Sequence, residues 1–160
     1  MKNQALFTSN KKDWETPQEL FDQLDRVFHF DLDAAASEQN HKCANYFTEE
    51  TDGLTAKWGG GNVFCNPPYG SKETGEWTRK CYEEALNGAS VVLLIPARTD
   101  RRSFHEYIWG KQGVDIEFIR GRLKFEVAGV STEAAPFPSM LVFFNCDKED
   151  VEMVKNVLRV

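Results

Sequence analysis

Hydrophobic positions along this chain switch between a helical and a strand period, and the switches divide it into elements. Leu20, Phe21, Leu24 and Phe28 recur at helical spacing directly after Thr16-Pro17-Gln18-Glu19. A threonine with a glutamate three residues later and a proline between them has the form of a capping box, with proline at the first helical position, so a helix is predicted to start there. Residues 28–33 then alternate apolar and polar and predict a strand ending at Asp33, followed by a short strand near residues 45–48. Gly59-Gly60-Gly61 opens Asn62-Val63-Phe64-Cys65, a β-prone run. A second helix is predicted to begin near Thr74, to bury Trp77, Cys81 and Ala85, and to stop at Asn87-Gly88. Residues 90–95 and 140–144 are continuous apolar runs, as expected of strands covered on both faces.

The predicted order is helix, strand, short strand, strand, helix, strand, helix, strand pair, final strand, helix. Such alternation implies a three-layer α/β domain with a mostly parallel sheet. At 160 residues and 41% hydrophobic content the chain can bury one substantial core, with no room for a second full domain. Residues 129–138, rich in small residues and ending in proline, are expected to form a mobile connection. The longest apolar run, residues 91–95, is far too short to span a bilayer, and Met1-Lys2-Asn3-Gln4 lacks the apolar core of a signal peptide. The expectation is a cytoplasmic protein with no membrane partner.

Cys43, Cys65, Cys81 and Cys146 are widely spaced, and with His29, His41 and His105 they lack the tight paired spacing of a zinc site, so no metal is expected. A net charge of −6 argues against a generic nucleic-acid coat. Charge distribution changes that picture. Arg98, Arg101 and Arg102 follow the carboxyl end of the 90–95 strand, and Arg120, Arg122 and Lys124 form a second basic cluster. Either these are scattered surface charges, or they rim a site that meets phosphates.

The sharpest chemistry lies in Asn66-Pro67-Pro68-Tyr69, placed where the 62–65 strand ends. Open α/β sheets bind ligands at strand ends. Each proline lacks an N–H and holds the preceding residue extended, so the segment presents acceptors without competing donors. An exocyclic amine on a planar base needs such a site, because its lone pair is delocalised into the ring. The Asn66 side-chain oxygen and the Pro67 carbonyl can take the two amine hydrogens and favour a pyramidal, nucleophilic nitrogen, which is stabilisation by fixed dipoles. Tyr69 adds an aromatic face, and stacking of this kind contributes about 1 to 3 kcal/mol per base. The bland reading of the same residues is a Pro-Pro turn with a packed tyrosine. Cys65, adjacent to the motif, reads as a small strand residue, since an amine attacking a sulfonium methyl needs no thiolate.

With that motif in place the chain resembles the phage-type DNA N-6-adenine methyltransferases, the Dam family, over nearly its whole length. The resemblance is carried by Trp14-Glu15-Thr16-Pro17, Phe30-Asp31-Leu32-Asp33-Ala34-Ala35, Asp52-Gly53-Leu54 with Trp58, Phe64-Cys65-Asn66-Pro67-Pro68-Tyr69, Leu94-Ile95-Pro96-Ala97-Arg98-Thr99 and Arg120-Gly121-Arg122-Leu123-Lys124-Phe125. It implies transfer of a methyl group from S-adenosylmethionine to adenine N6 in DNA, on a minimal Rossmann-like methyltransferase sheet with an antiparallel last strand. Residues 116–119 with 140–144 can supply that antiparallel pair. The first strand departs from the better-known adenosylmethionine fold, ending in Asp33-Ala34-Ala35-Ala36-Ser37 rather than a glycine-rich turn. Few residues separate Asp33 from Asn66, so an edge strand and its helices are expected to be missing.

Under this resemblance the cofactor lies across Thr16, Pro17, Asp33, Ala34, Ala35, Asp52 and Asn66. Thr16-Pro17 also has a purely structural reading as a helix start, Asp31 alternates with Asp33, and Asp52 is also a turn former. Asn66, Pro67, Pro68 and Tyr69 form the catalytic set. A flipped adenine enters between Asn66, Pro67 and Tyr69, with Phe125 either against its other face or packed in the core. Arg98, Arg101, Arg102 and Arg122 are the DNA-contacting candidates. Base reading is left to residues 70–75 and 129–138, which predicts a short target of roughly one to four bases. Alternatives are an amino methyltransferase acting on RNA guanine N2 or protein glutamine, and a catalytically idle module that binds cofactor or DNA.

Overall fold

The computed structural model describes residues 14–160, so the amino-terminal residues read above for a signal sequence lie outside the described residues. In chain order these form α1 (Gln18–Phe28), β1 (Leu32–Asp33), β2 (Asn62–Cys65), α2 (Ser71–Leu86), β3 (Ser90–Pro96), a π-helical turn (Phe104–Ile108), β4 (Val114–Phe118), β5 (Glu126–Val127), β6 (Val130–Ser131), β7 (Ser139–Phe144) and α3 (Lys148–Arg159). The main sheet has the order β1-β2-β3-β7-β4. β1, β2 and β3 pair in parallel. β7 is antiparallel to both of its neighbours, β3 and β4, so the last strand is inserted between two strands that run together.

Strand periodicity sends alternate residues of the sheet to opposite faces. On one face Phe64, Val92, Leu94, Leu141 and Phe143 meet α1 and α3 through Leu20, Phe21, Leu24, Val151 and Val154. On the other, Val63, Cys65, Val91, Leu93, Val142 and Phe144 meet α2 and the π-helical turn through Trp77, Cys81, Phe104 and Ile108. Every residue of β7 is buried, which is why 140–144 reads as an unbroken apolar run. No helix among the described residues is long and apolar enough to cross a membrane.

Several predicted elements shift. Phe28 does not begin a strand: it lies one turn beyond Leu24 on the buried stripe of α1, so the helix takes it, and β1 shrinks to Leu32–Asp33 after His29 closes the helix in the left-handed region (φ 52°). The 45–48 strand is reduced to one parallel bridge from Tyr46 to Asp33. α2 starts at Ser71 rather than near Thr74, and Ala85 is only half-buried, with Glu84 taking the inner position beside Lys80 (2.9 Å) and the Trp58 N–H (3.0 Å). Most of the 70–75 loop is therefore helix.

The capping box at Thr16 does not form. Pro17 occupies the N-cap position with no side-chain cap, and the Gln18 N–H donates instead to Glu126 Oε2 at 3.0 Å. That carboxylate comes from the β5–β6 hairpin, which the sequence reads as part of a plain connection. Ala128 and Gly129, both at positive φ (52° and 80°), form its two-residue turn. Glu126 N–H donates to Glu15 O at 2.9 Å, and the Ala128 and Gly129 N–H groups donate to the Glu15 carboxylate. The Ala135 N–H bonds Leu123 O at 2.8 Å. Residues 129–138 are thus tied to the body at several points.

Candidate active site

The segment that follows β2 meets the segment that precedes α1. Asn66 is half-buried, and its Nδ2 donates to Trp14 O at 2.5 Å and to Thr16 Oγ1 at 2.9 Å. Its Oδ1 accepts from the Tyr69 hydroxyl, which also reaches Leu94 O at 3.0 Å. Burial pushes the Tyr69 phenol well above its ordinary pKa, so it stays a donor. Pro67 is buried, and Pro68 O accepts from Thr74 Oγ1 at 3.0 Å, fastening the motif to the first turns of α2.

Tyr69 stands edge-on to Phe125 (centroids 5.9 Å apart) and to Phe137 (5.7 Å), and Trp14 meets the same two rings at 5.5 and 5.2 Å. Phe125 is fully buried, in accord with its core-packing alternative, whereas Phe137 is half-buried. The sequence reading missed Phe137, Leu94 and Glu126. An aromatic residue in the otherwise small 129–138 stretch was the available signal for Phe137; nothing local marks Glu126.

Asp33 ends β1 with its side chain buried, 4% exposed, accepting the Lys42 N–H at 2.8 Å. Burial raises its pKa, against the lowering effect of the backbone bonds from Lys42 and Ala35. Its neighbour Asp31 is exposed and accepts the Asn62 N–H at 2.9 Å, so of the alternating pair it is Asp33 that faces inward. Asp52 sits at φ 54° with Oδ1 accepting the Leu54 N–H at 3.1 Å, the geometry of a turn-forming aspartate. Gly53 explains how this turn reaches β1: a Cβ there would lie 2.2 Å from Ala34 O. The fold therefore brings Ala34, between Asp33 and Ala35, against Gly53, and separately joins Thr16 to Asn66.

Cys65 is fully buried, and burial, with a hydrogen bond to Cys81, drives its thiol far from ionisation, so no thiolate stands beside the motif. Among the described residues no group of three His, Cys, Asp or Glu side chains is arranged to hold a metal ion. Arg98 and Arg101 line a cavity of about 20 Å³ with Tyr69, Thr74 and Phe104. Such a space holds about one water and no base. Arg98 pairs with Asp100 at 3.4 Å, and Arg101 donates to Ser71 O at 3.3 Å. Arg102 is exposed and pairs with Glu106 at 3.6 Å; Arg122 is exposed and donates to Ala135 O at 3.4 Å. The first two arginines thus border the motif, while the last two lie outside that cavity lining.

The chain matches the family described as DNA N-6-adenine-methyltransferase (Dam) over residues 4–159. It is 32% identical over 141 residues to the DNA N-6-adenine-methyltransferase of Haemophilus phage HP1 (strain HP1c1), covering 85% of this chain and 80% of that protein. To the DNA N-6-adenine-methyltransferase of Escherichia phage T1 it is 35% identical over 95 residues, 58% of this chain and 39% of the phage protein. The matched stretch thus spans well under half the length of the T1 relative and most of the HP1 one. On a match that runs nearly from end to end, the chain belongs to the DNA N-6-adenine-methyltransferase (Dam) family.

Proposed function

We propose that this protein transfers a methyl group from S-adenosylmethionine to the N6 amino group of adenine in DNA, acting as a single methyltransferase domain on a minimal Rossmann-like sheet. The observation that carries the reading is Asn66 at the carboxyl end of a parallel strand, its amide oxygen already engaged by a donor, Tyr69. An amine N–H is a donor of the same kind. Family membership and the relatives named as adenine methyltransferases support the same chemistry.

The residues present fit the cofactor by the chemistry of their donor set. The first turn of α1 presents backbone N–H groups of the kind that suit the carboxylate of a methionine moiety, that of Gln18 being taken by Glu126 Oε2. Pro17, Asp33-Ala34-Ala35 and Asp52 would hold the cofactor along the carboxyl ends of β1 and β2, beside Asn66. When bound, S-adenosylmethionine supplies an electrophilic methyl group on a sulfonium sulfur.

The protein's own part is to prepare the amine. The base leaves the DNA stack, because N6 within a pair cannot align with the methyl group. Tyr69 gives up the Asn66 oxygen to one amine hydrogen and turns its ring to the base, while Pro67 O takes the second hydrogen. The nitrogen becomes pyramidal, its lone pair faces the methyl group, and its proton leaves to water. Arg98, Arg101, Arg102 and Arg122 neutralise phosphates around the entrance.

Incubating the protein with isotopically labelled S-adenosylmethionine and DNA, and in parallel with RNA, then digesting to nucleosides for mass analysis, tests this directly. N6-methyladenine in DNA is expected. Label confined to RNA, or appearing in another DNA base, overturns it.

A further inference from the structure

Thr16 precedes a helix, where a threonine hydroxyl would ordinarily cap the first turn, yet it does not cap α1, whose Gln18 N–H is taken by Glu126. Its Oγ1 instead accepts from Asn66 Nδ2, at 2.9 Å, and Thr16 is only 2% exposed. A second acceptor, Trp14 O, takes the same Nδ2. A carboxamide has one donating and one accepting end, and a flip would turn the Asn66 oxygen onto the Trp14 carbonyl, two acceptors facing each other. The amide is therefore locked with its nitrogen inward and its oxygen toward Tyr69. That oxygen is the one the proposed reaction needs.

We propose that Thr16 is a positioning residue for the methyl transfer: its hydroxyl fixes the Asn66 amide so that Oδ1 faces the target amine. This rests on the function proposed above and differs from the reading of Thr16 as a direct cofactor contact. The segment that bears Thr16 is itself held from both sides. Glu15 O accepts the Glu126 N–H at 2.9 Å, and the Gln18 N–H bonds Glu126 Oε2 at 3.0 Å, so the β5–β6 hairpin fixes the backbone that presents the hydroxyl. Hydroxyl, amide and phenol then form one chain from Thr16 through Asn66 to Tyr69. Preorganised acceptors count in the transition state because they need no reorientation when charge develops.

The test compares Thr16→Val, which keeps the shape and loses the hydroxyl, with Thr16→Ser, which keeps the hydroxyl. Single-turnover rates on DNA at saturating cofactor should fall about tenfold in Thr16→Val and recover to within about twofold in Thr16→Ser, the scale of one hydrogen bond. Calorimetric affinity for S-adenosylmethionine should stay within about twofold in both. Side-chain amide NMR provides an arm independent of activity. The two Asn66 NδH2 signals, assigned by their loss in Asn66→Ala, should both be shifted and slow to exchange in the wild type and in Thr16→Ser, whereas in Thr16→Val the one bonded to residue 16 should move toward its free-amide value and the one on Trp14 O should stay shifted.

Normal turnover in Thr16→Val, or a normal saturated rate with weakened cofactor binding, overturns the positioning role. So does an Asn66 amide signal that the valine leaves unchanged. A wild-type protein that methylates no DNA while its amide signals follow the expected pattern would sink the proposed function and leave the hydrogen-bond geometry standing. Should Thr16→Val fail to fold, the serine variant decides: loss of rate or of amide protection there refutes the inference.

Discussion

Replacing Asn66 with alanine removes three hydrogen bonds at once: Nδ2 to Trp14 O, Nδ2 to Thr16 Oγ1, and Tyr69 Oη to Oδ1. Each is worth about 0.5 to 1.5 kcal/mol net, so Asn66→Ala should lose roughly 2 to 4 kcal/mol of stability. For a domain of this size each kcal/mol lowers Tm by about 2 to 4 °C, which places the variant about 4 to 16 °C below the wild type. Catalysis should suffer more than folding. Loss of one preorganised polar group that contacts a developing charge typically costs about 100- to 1000-fold in rate.

The assay therefore has to separate the two effects. Single-turnover methylation is measured at saturating cofactor and DNA, at a temperature where circular dichroism shows the variant fully folded, alongside calorimetric cofactor binding. A fall of 100-fold or more with cofactor affinity largely kept is expected. A folded variant that makes N6-methyladenine at near the wild-type rate would refute the acceptor role, and the motif would revert to a Pro-Pro turn with a packed tyrosine.

Asp33→Ala should weaken S-adenosylmethionine binding by about 1.5 to 3 kcal/mol, the range for a hydrogen bond to a charged group, and unchanged calorimetric affinity in a folded variant would move the contact to Asp52 or elsewhere. Burial raises the Asp33 pKa above its ordinary 3.8, so its contribution to stability is full below 3.8 and is lost as pH rises through the raised value. Thermal melts should accordingly show the wild type losing ground to Asp33→Asn with rising pH, and a pH-independent gap would contradict the burial argument. Replacing Arg98, Arg101 and Arg102 together should weaken DNA binding for all sequences and flatten its salt dependence by up to about 3 units of slope; an identical slope returns them to surface charge. Glu126→Ala, which uncaps the Gln18 N–H, should cost about 1 kcal/mol in chemical denaturation, and no loss would mean that water serves that N–H equally well.

What could be read from the sequence follows the reach of each signal. Apolar runs buried on both faces report on themselves, so 90–95 and 140–144 were found nearly to the residue as Ser90–Pro96 and Ser139–Phe144. The place of residues 66–69 at the end of β2 was legible because the glycines before that strand and the prolines after it bound it locally. Boundaries failed where one residue satisfied two periods, as Phe28 did, and where a side chain had a stronger partner far away. Thr16 has a capping sequence, but Asn66 lies 50 positions on in the chain and claims its hydroxyl. The Glu15–Glu126 pairing spans still more sequence, and no local pattern encodes it.

The same long-range contacts explain why candidate residues could be proposed from the sequence while their arrangement could not. Asn66 as an isolated residue offers two interchangeable amide ends; the Trp14 carbonyl, which can only accept, decides which one points inward, and the Thr16 hydroxyl adds a second bond there. Those two groups sit on a segment with little regular structure of its own, so their position has to come from elsewhere. The β5–β6 hairpin supplies it, through one backbone bond to Glu15 and one carboxylate on Gln18. Asn66 itself stands at the end of a parallel strand fixed by β1 and β3 on either side. The Asn66 amide is thus oriented where the sheet meets the hairpin-braced segment, beside the packing of Trp14 in the same core. A one-residue change in the hairpin can therefore alter the aim of an amide that it never touches, and a reading confined to the motif would not find it.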